Sequence, residues 1–420
     1  MPFRFVHTAD IHLDSPLKSL ALRDPDLAAL VDAATRQTFE RIVDLCLNED
    51  VDALLIAGDL YDGDQTSMKT AAFLGSQMRK LSDAGVRVCL IRGNHDAKSR
   101  ITKQLDLPES VKTYSTRTAE ILHIPSHDGA PAIAIHGTSF PAGQVPNSLL
   151  PRFDGPVADS VNIGMLHTSP DGAEGHDVYA PVAIADLAAH GFNYWALGHI
   201  HKRQIQRETP AIVMPGIPQG RHVNEAGAKS VTLVTVHDDR QISLEKRYVS
   251  VAEFARPALD ISGIDSWNGV RQAIDLELNT LESAKQSDHV IARILLTGST
   301  PLAWRLRRDA DLLQEEARAA ASDVWIEGLE IACTAPQSAS TTDAGAVAEL
   351  ARLMAGIATN PDFLDRAVDE ANALIRALPR EARDVLGEDP AAVAAVAAEL
   401  AHAGSDEVLA RLAVPASEAD

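Results

Sequence analysis

Five short polar motifs stand in a fixed order through the first half of this chain: Asp10-Ile11-His12, Gly58-Asp59-Leu60-Tyr61-Asp62, Gly93-Asn94-His95-Asp96, a lone His167, and Gly198-His199-Ile200-His201. Each comes just after an apolar run. Together they supply two aspartates, one asparagine and several histidines, the donor types of a two-metal hydrolytic centre. Taken singly, none is specific. Asp-x-His arises by chance, a lone histidine after a strand is commonly a satisfied core residue, and Gly-Asn favours turns. Their joint occurrence in one order is what points to a reaction.

Mixed carboxylate, amide and imidazole ligands suit two divalent cations, with manganese expected and iron or zinc as alternatives. Cys46, Cys89 and Cys333 form no CxxC pair. This argues against a structural zinc centre and leaves them as buried reduced thiols. One cation is expected on Asp10, His12 and His201, the other on Asn94, His167 and His199, with Asp59 bridging. Such a pair clamps the attacking and leaving oxygens of an in-line phosphoryl displacement. His95, next to Asn94, is the expected general acid to the leaving alkoxide, and Asp96 the expected orienter of its imidazole. A cap on the following helix is the alternative for Asp96.

The elements that must position these groups are legible from hydropathy. Phe3 to His7, Val51 to Ala57 and Val86 to Ile91 read as strands, with helices over about 26–48 and 66–82 between them. Later strands run from Ala132 to His136, Val161 to Leu166, Tyr194 to Leu197, Val231 to Val236 and about 242–249. This is α/β alternation with motifs at the carboxyl ends of strands, where ligands gather in open sheets. Residues 251–333 read as a separate α+β module. Its expected elements are a strand from Phe254 to Ile261, a helix from Ser266 to about Lys285, a strand from Val290 to Leu296, a helix from Pro301 to Ala320 and a strand from Val324 to Ala332. Thr300 stands as N-cap before Pro301. Residues 334–346 are small and polar, a linker. Residues 347–420 form a helical tail, in which Phe363, Leu364, Ala367, Val368, Ala371, Leu374, Ile375 and Leu378 make one apolar stripe. That stripe must bury against its own chain or against a partner helix.

A chain of 420 residues with 45% apolar content can hold two or three domains. No apolar stretch approaches bilayer length, and the first motif leaves no room for a cleavable signal, so the expected location is the cytoplasm. The net charge of −21 would argue against a nucleic-acid partner, but it is uneven. Residues 1–250 hold 24 Lys and Arg against 30 Asp and Glu, and residues 251–420 hold 14 against 29. Most of the acidity lies outside the motif-bearing part, and cations on Asp10 and Asp59 would make the pocket locally positive.

The ordered set DxH, GDxxD, GNHD, H and GHxH resembles the calcineurin-like metallophosphoesterase superfamily over residues 1–250. The resemblance implies a four-layer α/β/β/α sandwich with a dinuclear metal centre. Within that superfamily, HTADIHLDSPL, AGDLYD and IRGNHD are similar to DNA-repair nucleases of the SbcD type. The segment from Met214 to His222, with Glu225 and Lys229, is similar to YhaO-type proteins. The resemblance implies DNA as substrate, a DNA-facing cap, a homodimer and a tail that grips a coiled-coil ATPase of the SMC type. Asp62 stands where archaeal and eukaryotic relatives carry a histidine, and Ile217 replaces a serine common in relatives.

DNA contacts are expected near the site from Lys202, Arg203, Arg221 and His222, and from Lys98 and Arg100, as phosphate contacts that position without reading sequence. Tyr61 is a candidate for stacking on a base, with core packing as its alternative. Trp304, Arg305, Arg307 and Arg308 would give the cap a phosphate-tracking face, or else a solvated helix face. The expected activity is a metal-dependent DNA nuclease, an exonuclease and also a single-strand endonuclease. Two alternatives stay open: a small-molecule or cyclic-nucleotide phosphodiesterase, and a non-catalytic scaffold for a coiled-coil ATPase.

Overall fold

Strict alternation of side chains along short apolar strands builds the part of the molecule that carries the motifs. The structure, a computed structural model, describes residues 2–15, 25–61, 67–98, 107–126, 131–171, 179–321, 324–334, 346–377 and 390–412. The chain divides into two units, Met1–Ala255 with Leu281–Ala292, and Arg256–Thr280 with Arg293–Asp420.

In chain order the first unit carries β1 (Phe3–Thr8), α1 (Pro25–Asn48), β2 (Ala53–Ala57), α2 (Met68–Asp83), β3 (Arg87–Ile91), β4 (Val111–Thr113), β5 (Glu120–Ile124) and β6 (Ala132–Gly137). It continues with β7 (Ser160–His167), α3 (Ile184–Ala189), β8 (Tyr194–Gly198), β9 (Gln204–Glu208), β10 (Ala211–Met214), β11 (Ser230–Val236), β12 (Ile242–Tyr248) and β13 (Ala252–Ala255). One sheet has the order β12-β11-β1-β2-β3-β4 and the other β5-β6-β7-β8-β10-β9. β1 to β4 pair in parallel, as do β6, β7, β8 and β10.

The period of two sorts the side chains into layers. In β2, Leu54 and Ile56 pack with Phe39, Ile42 and Val43 of α1 and Leu74 and Met78 of α2. Ala53, Leu55 and Ala57 face the second sheet, against Ile163, Met165 and Ala196. In β8, Trp195 and Leu197 turn the other way, onto Phe140, Phe153 and Leu187 of α3. The layers are therefore helix, sheet, sheet, helix, the α/β/β/α sandwich that the motifs imply. Because β1, β2, β3, β7 and β8 run in parallel within their sheets, the motif residues lie at their carboxyl ends.

The second unit holds β14 (Ala258–Asp260), α4 (Trp267–Ala284), β15 (His289–Thr297), α5 (Ala303–Arg308), α6 (Ala310–Ala320), β16 (Val324–Ile331), α7 (Ala346–Ala358), α8 (Pro361–Ala377) and α9 (Pro390–Leu412). α4 and β15 each have an end in the first unit. Two expected elements are broken. The single strand from Phe254 to Ile261 is interrupted at Arg256-Pro257, because proline has no N–H for the ladder. The helix expected from Pro301 to Ala320 divides at Asp309 and starts two residues late. Thr300 Oγ1 accepts the N–H of Leu302 at 3.1 Å, so Pro301 lies in the turn before the helix. α9 packs on α5, α7 and α8 of its own unit, burying Val393 and Ala397. The stripe on α8 is thus half-buried on its own chain, with Leu374 left exposed; Leu378 lies outside the described residues. Among the described residues, no helix is long and apolar enough to cross a membrane.

The loop after β1 is tied to the helix layer by Asp14. Its carboxylate accepts Arg36 Nε and Nη2, each at 2.6 Å, and the Thr70 hydroxyl of α2. Its N–H donates to Thr35 Oγ1 at 3.1 Å. Arg36→Ala is expected to lower the unfolding free energy by about 1–3 kcal/mol, by leaving a half-buried carboxylate short of its donors. Urea denaturation checks this, and a midpoint equal to wild type contradicts it.

Candidate metal centre

The parallel pairing of β1 with β2 continues beyond the strand ends. Asp10 N–H donates to Gly58 O at 2.9 Å, His12 N–H to Asp59 O at 3.0 Å and Leu13 N–H to Leu60 O at 2.9 Å. Three of the residues so held are non-glycine and left-handed: Asp10 (φ 52°), His12 (φ 46°) and Asp59 (φ 52°). His199, at the end of β8, has φ 106°. Such conformations cost about 1–2 kcal/mol each and gather where surrounding structure over-determines them. Here they turn polar side chains out of the strand direction toward one point. Gly58 (φ +95°) allows the approach, since a Cβ there would stand 2.4 Å from His167 Nδ1. A Cβ on Gly93 would stand 2.2 Å from Asp59 Oδ1.

The ring nitrogens show what these side chains are arranged to hold. His167 Nδ1 lies 2.9 Å from Ala57 O, which can only accept, so Nδ1 carries the hydrogen. Nε2 of the neutral ring is then a bare lone pair, aimed at Asn94 Oδ1 (3.0 Å) and Asp59 Oδ2 (3.4 Å). Burial opposes charge on this ring, yet Asp59 outweighs it and pushes the imidazole up to about 9. The lone pair that would take that proton is the one that would take a cation. In the same way His201 Nδ1 donates to Glu225 Oε1 at 2.7 Å, which leaves its Nε2 facing His12 Nε2 at 3.2 Å. Lone pairs converging on oxygen and nitrogen acceptors are the donor set of a cation site, and the residues fit one.

Asp10, His12 and His201 offer ligand atoms within 4.8 Å of one another, as do Asp10, Asp59 and His167, and His12, Asp59 and His95. Asp10, His12 and Asp59 each belong to two of these groups. Asn94 joins through His167. His199 sits beside that cluster, its ring 5.2 Å from the His167 ring and its N–H donating to both Asp10 oxygens at 2.9 and 3.1 Å. His95 is half-buried at the edge. Its N–H donates to Asp59 Oδ1 at 2.9 Å, and its ring meets His12 edge-on at 4.8 Å.

Three expectations change. Asp96 is fully occupied with backbone: it accepts Leu60 N–H (3.2 Å), Tyr61 N–H (3.0 Å) and Gly93 N–H (3.0 Å). It ties the second loop to the third, and this takes the place of orienting the His95 ring. Burial, then the neighbouring Asp59, push its carboxyl up to about 6 against the pull of those three donors. Tyr61 is completely buried in the core formed with α1 and α2, so it has no face for a base. In the second unit, Arg305 lies over the Trp267 ring at 5.0 Å, Arg307 donates to Cys333 O and Arg308 to Asp309, so the face expected to track phosphates is engaged within its own unit. Lys202 and His222 are exposed beside His201 and Glu225, Arg203 donates to Thr232 Oγ1, and Arg221 lies 3.4 Å from His201 Nδ1. Asp62 and Arg100 lie outside the described residues.

Sequence reasoning did not place Glu225 in the site. Its carboxylate accepts His201 Nδ1–H and the backbone N–H of Arg221 at 2.7 Å each. Burial works against its charge, but His201 and Arg221 outweigh burial and hold it low, at about 2. It is the carboxylate that fixes the tautomer of His201, a candidate ligand. Only its position after the Pro215–Arg221 segment signalled it. Glu225→Ala is expected to weaken Mn²⁺ binding about 10–100-fold. Calorimetric titration reads this directly, and wild-type affinity in the variant contradicts it.

Residues 3–203 match the calcineurin-like phosphoesterase family, and residues 254–334 match the middle domain of metallophosphoesterase YhaO. The chain is 33% identical over 312 residues to the uncharacterized metallophosphoesterase YhaO of Bacillus subtilis, across 74% of this chain and 75% of that protein. It is 25% identical over 280 residues to the DNA double-strand break repair protein Mre11 of Methanopyrus kandleri, across 61% of this chain and 55% of that protein. It is 26% identical over 265 residues to a component of the nuclease SbcCD of Bacillus subtilis, across 55% of this chain and 66% of that protein. The chain therefore spans about half of the Mre11 relative and just under two thirds of the SbcCD component. With one relative a third identical along three quarters of its length, the chain belongs to the calcineurin-like metallophosphoesterases.

Proposed function

We propose that this metallophosphoesterase is a metal-dependent DNA nuclease of the repair type. It hydrolyses phosphodiester bonds as an exonuclease and also cuts single strands internally. The observation that carries the reading is the convergence of Asp10, His12, Asp59, Asn94, His167, His199 and His201 with His95 at the edge of the same cluster. Similarity to an Mre11 protein and to a nuclease component supports a polynucleotide substrate. When bound, two divalent cations, Mn²⁺ in this reading, supply Lewis acidity toward the phosphoryl group and make hydroxide available near neutral pH.

The chain's own residues do the rest. Asp59 accepts the backbone N–H of His95 and so fixes where its ring stands. A protonated His95 gives its ring proton to the leaving oxygen as the phosphorus–oxygen bond breaks. Asp96 keeps the Asp59 and Asn94 loops in register by binding the backbone of both. Lys202, Arg203, Arg221 and His222 hold the strand near the centre by its phosphates. A homodimer, a cytoplasmic location and an SMC-type ATPase partner at the C-terminal helices complete the reading. Leu353, Ile357 and Leu400, exposed on α7 and α9, support the last of these.

Two outcomes test it. With Mn²⁺ and end-labelled single- and double-stranded DNA, the wild type is expected to cut, and Asp59→Ala and His199→Ala to abolish cutting with an unchanged circular dichroism spectrum. Hydrolysis of bis-p-nitrophenyl phosphate with no DNA cutting would favour a small-molecule phosphodiesterase instead. His95→Ala is expected to keep its metal, by elemental analysis, while its single-turnover rate falls about 10²–10⁴-fold. Loss of metal from that variant would remove His95 from the general-acid role.

A further inference from the structure

This chain has 59 acidic side chains against 38 Lys and Arg, and its cations commonly find carboxylates: Arg4 with Glu49, Arg36 with Asp14, Arg293 with Glu327. A cleft of about 770 Å³ that starts at His201 departs from this pattern. Lys202, Arg203, Lys229 and Lys246 all line it. Among the described residues, none of these four cations forms an ion pair. Glu225 shares the lining, but its oxygens are taken by His201 and Arg221.

Three of the four are instead held by neutral groups, which orient a cation without cancelling its charge. Arg203 donates to Thr232 Oγ1. Lys229 Nζ donates to Ala226 O at 2.7 Å. Lys246 Nζ donates to Tyr248 Oη at 2.8 Å and lies 4.3 Å above that ring. Burial pulls Lys229 below its ordinary value, and Glu225 and Glu253 offset part of this from beyond ion-pair distance. Gathering like charges in a partly desolvated cleft of a strongly acidic protein is unfavourable until an anion enters.

We propose that this cleft is a phosphate-backbone subsite, in which Lys202, Lys229 and Lys246 each neutralise a phosphodiester of the substrate strand other than the one being cut. The inference rests on the nuclease reading and deepens it: the enzyme selects a polynucleotide over a single phosphodiester because its neighbouring phosphates enter this cleft. Lys202 and Lys246, both exposed, provide the test with least risk to folding.

Binding of a short fluorescein-labelled oligothymidylate to the metal-free protein is measured across a KCl series. Lys202→Ala/Lys246→Ala is expected to reduce the slope of log K against log[KCl] by about 1.4, since each phosphate contact on a single strand contributes about 0.7. Lys202→Arg/Lys246→Arg is expected to keep the wild-type slope. Lys229→Ala, added separately, is expected to reduce it by about 0.7. A wild-type slope in the double alanine variant, with DNA still bound and cut, overturns the cleft and leaves the nuclease reading standing. A wild type that neither binds nor cuts DNA, yet hydrolyses bis-p-nitrophenyl phosphate, overturns the nuclease reading and the cleft with it.

Discussion

The parallel ladder between β1 and β2 runs past the ends of both strands, through Asp10 N–H to Gly58 O and His12 N–H to Asp59 O. Those bonds hold Asp10, His12 and Asp59 left-handed, at a cost of about 1–2 kcal/mol each. Without that conformation the three side chains would follow the strand alternation into the two cores. With it, two carboxylates and an imidazole leave the strand direction together. Gly58 is the residue that lets the loop close this far, because His167 occupies the place a side chain would need.

The second sheet has to be registered against the first for its histidines to arrive at the same point. Several buried bonds cross between the sheets. His167 Nδ1 donates to Ala57 O of β2, and His199 N–H donates to the Asp10 carboxylate. His7 of β1 reaches across to β8, where its Nε2 donates to Leu197 O and its Nδ1 accepts the Tyr194 hydroxyl. Burial pulls His7 down to about 3, so it stays neutral and serves as a fixed spacer just before Gly198 and His199. Phe140 packs edge-on against His167 at 5.3 Å and holds the ring from its far side. The apolar core between the sheets sets their separation, and these polar bonds set their register.

The convergence of the candidate ligands was legible because each lies within a few residues of the strand that positions it. An apolar run followed by a short polar motif is a local signal, and the parallel sheet converts it into convergence. What sequence could not supply was the direction of side chains inside the loops. Tyr61 stands between two motif aspartates, yet it points into the helix-side core. Asp96 follows the expected acid directly, yet its oxygens go to backbone N–H groups of two different loops. Glu225 lies 24 residues beyond His201, and only the chain's path brings them to hydrogen-bond distance. The basic run from Arg305 to Arg308 read as a candidate phosphate face because the fold, not the sequence, brings Trp267 and Cys333 to it, while Asp309 is its sequence neighbour. Element breaks at Pro257 and Asp309 divided a strand and a helix whose apolar pattern was continuous.

The central claim is that five strand ends from two sheets present one dinuclear site. Anomalous diffraction from crystals grown with Mn²⁺ tests it most directly. The expected map has two peaks about 3.5–4 Å apart, one touching Asp10, His12 and His201, the other Asn94, His167 and His199, with Asp59 reaching both. A single peak, or peaks away from these residues, would contradict it.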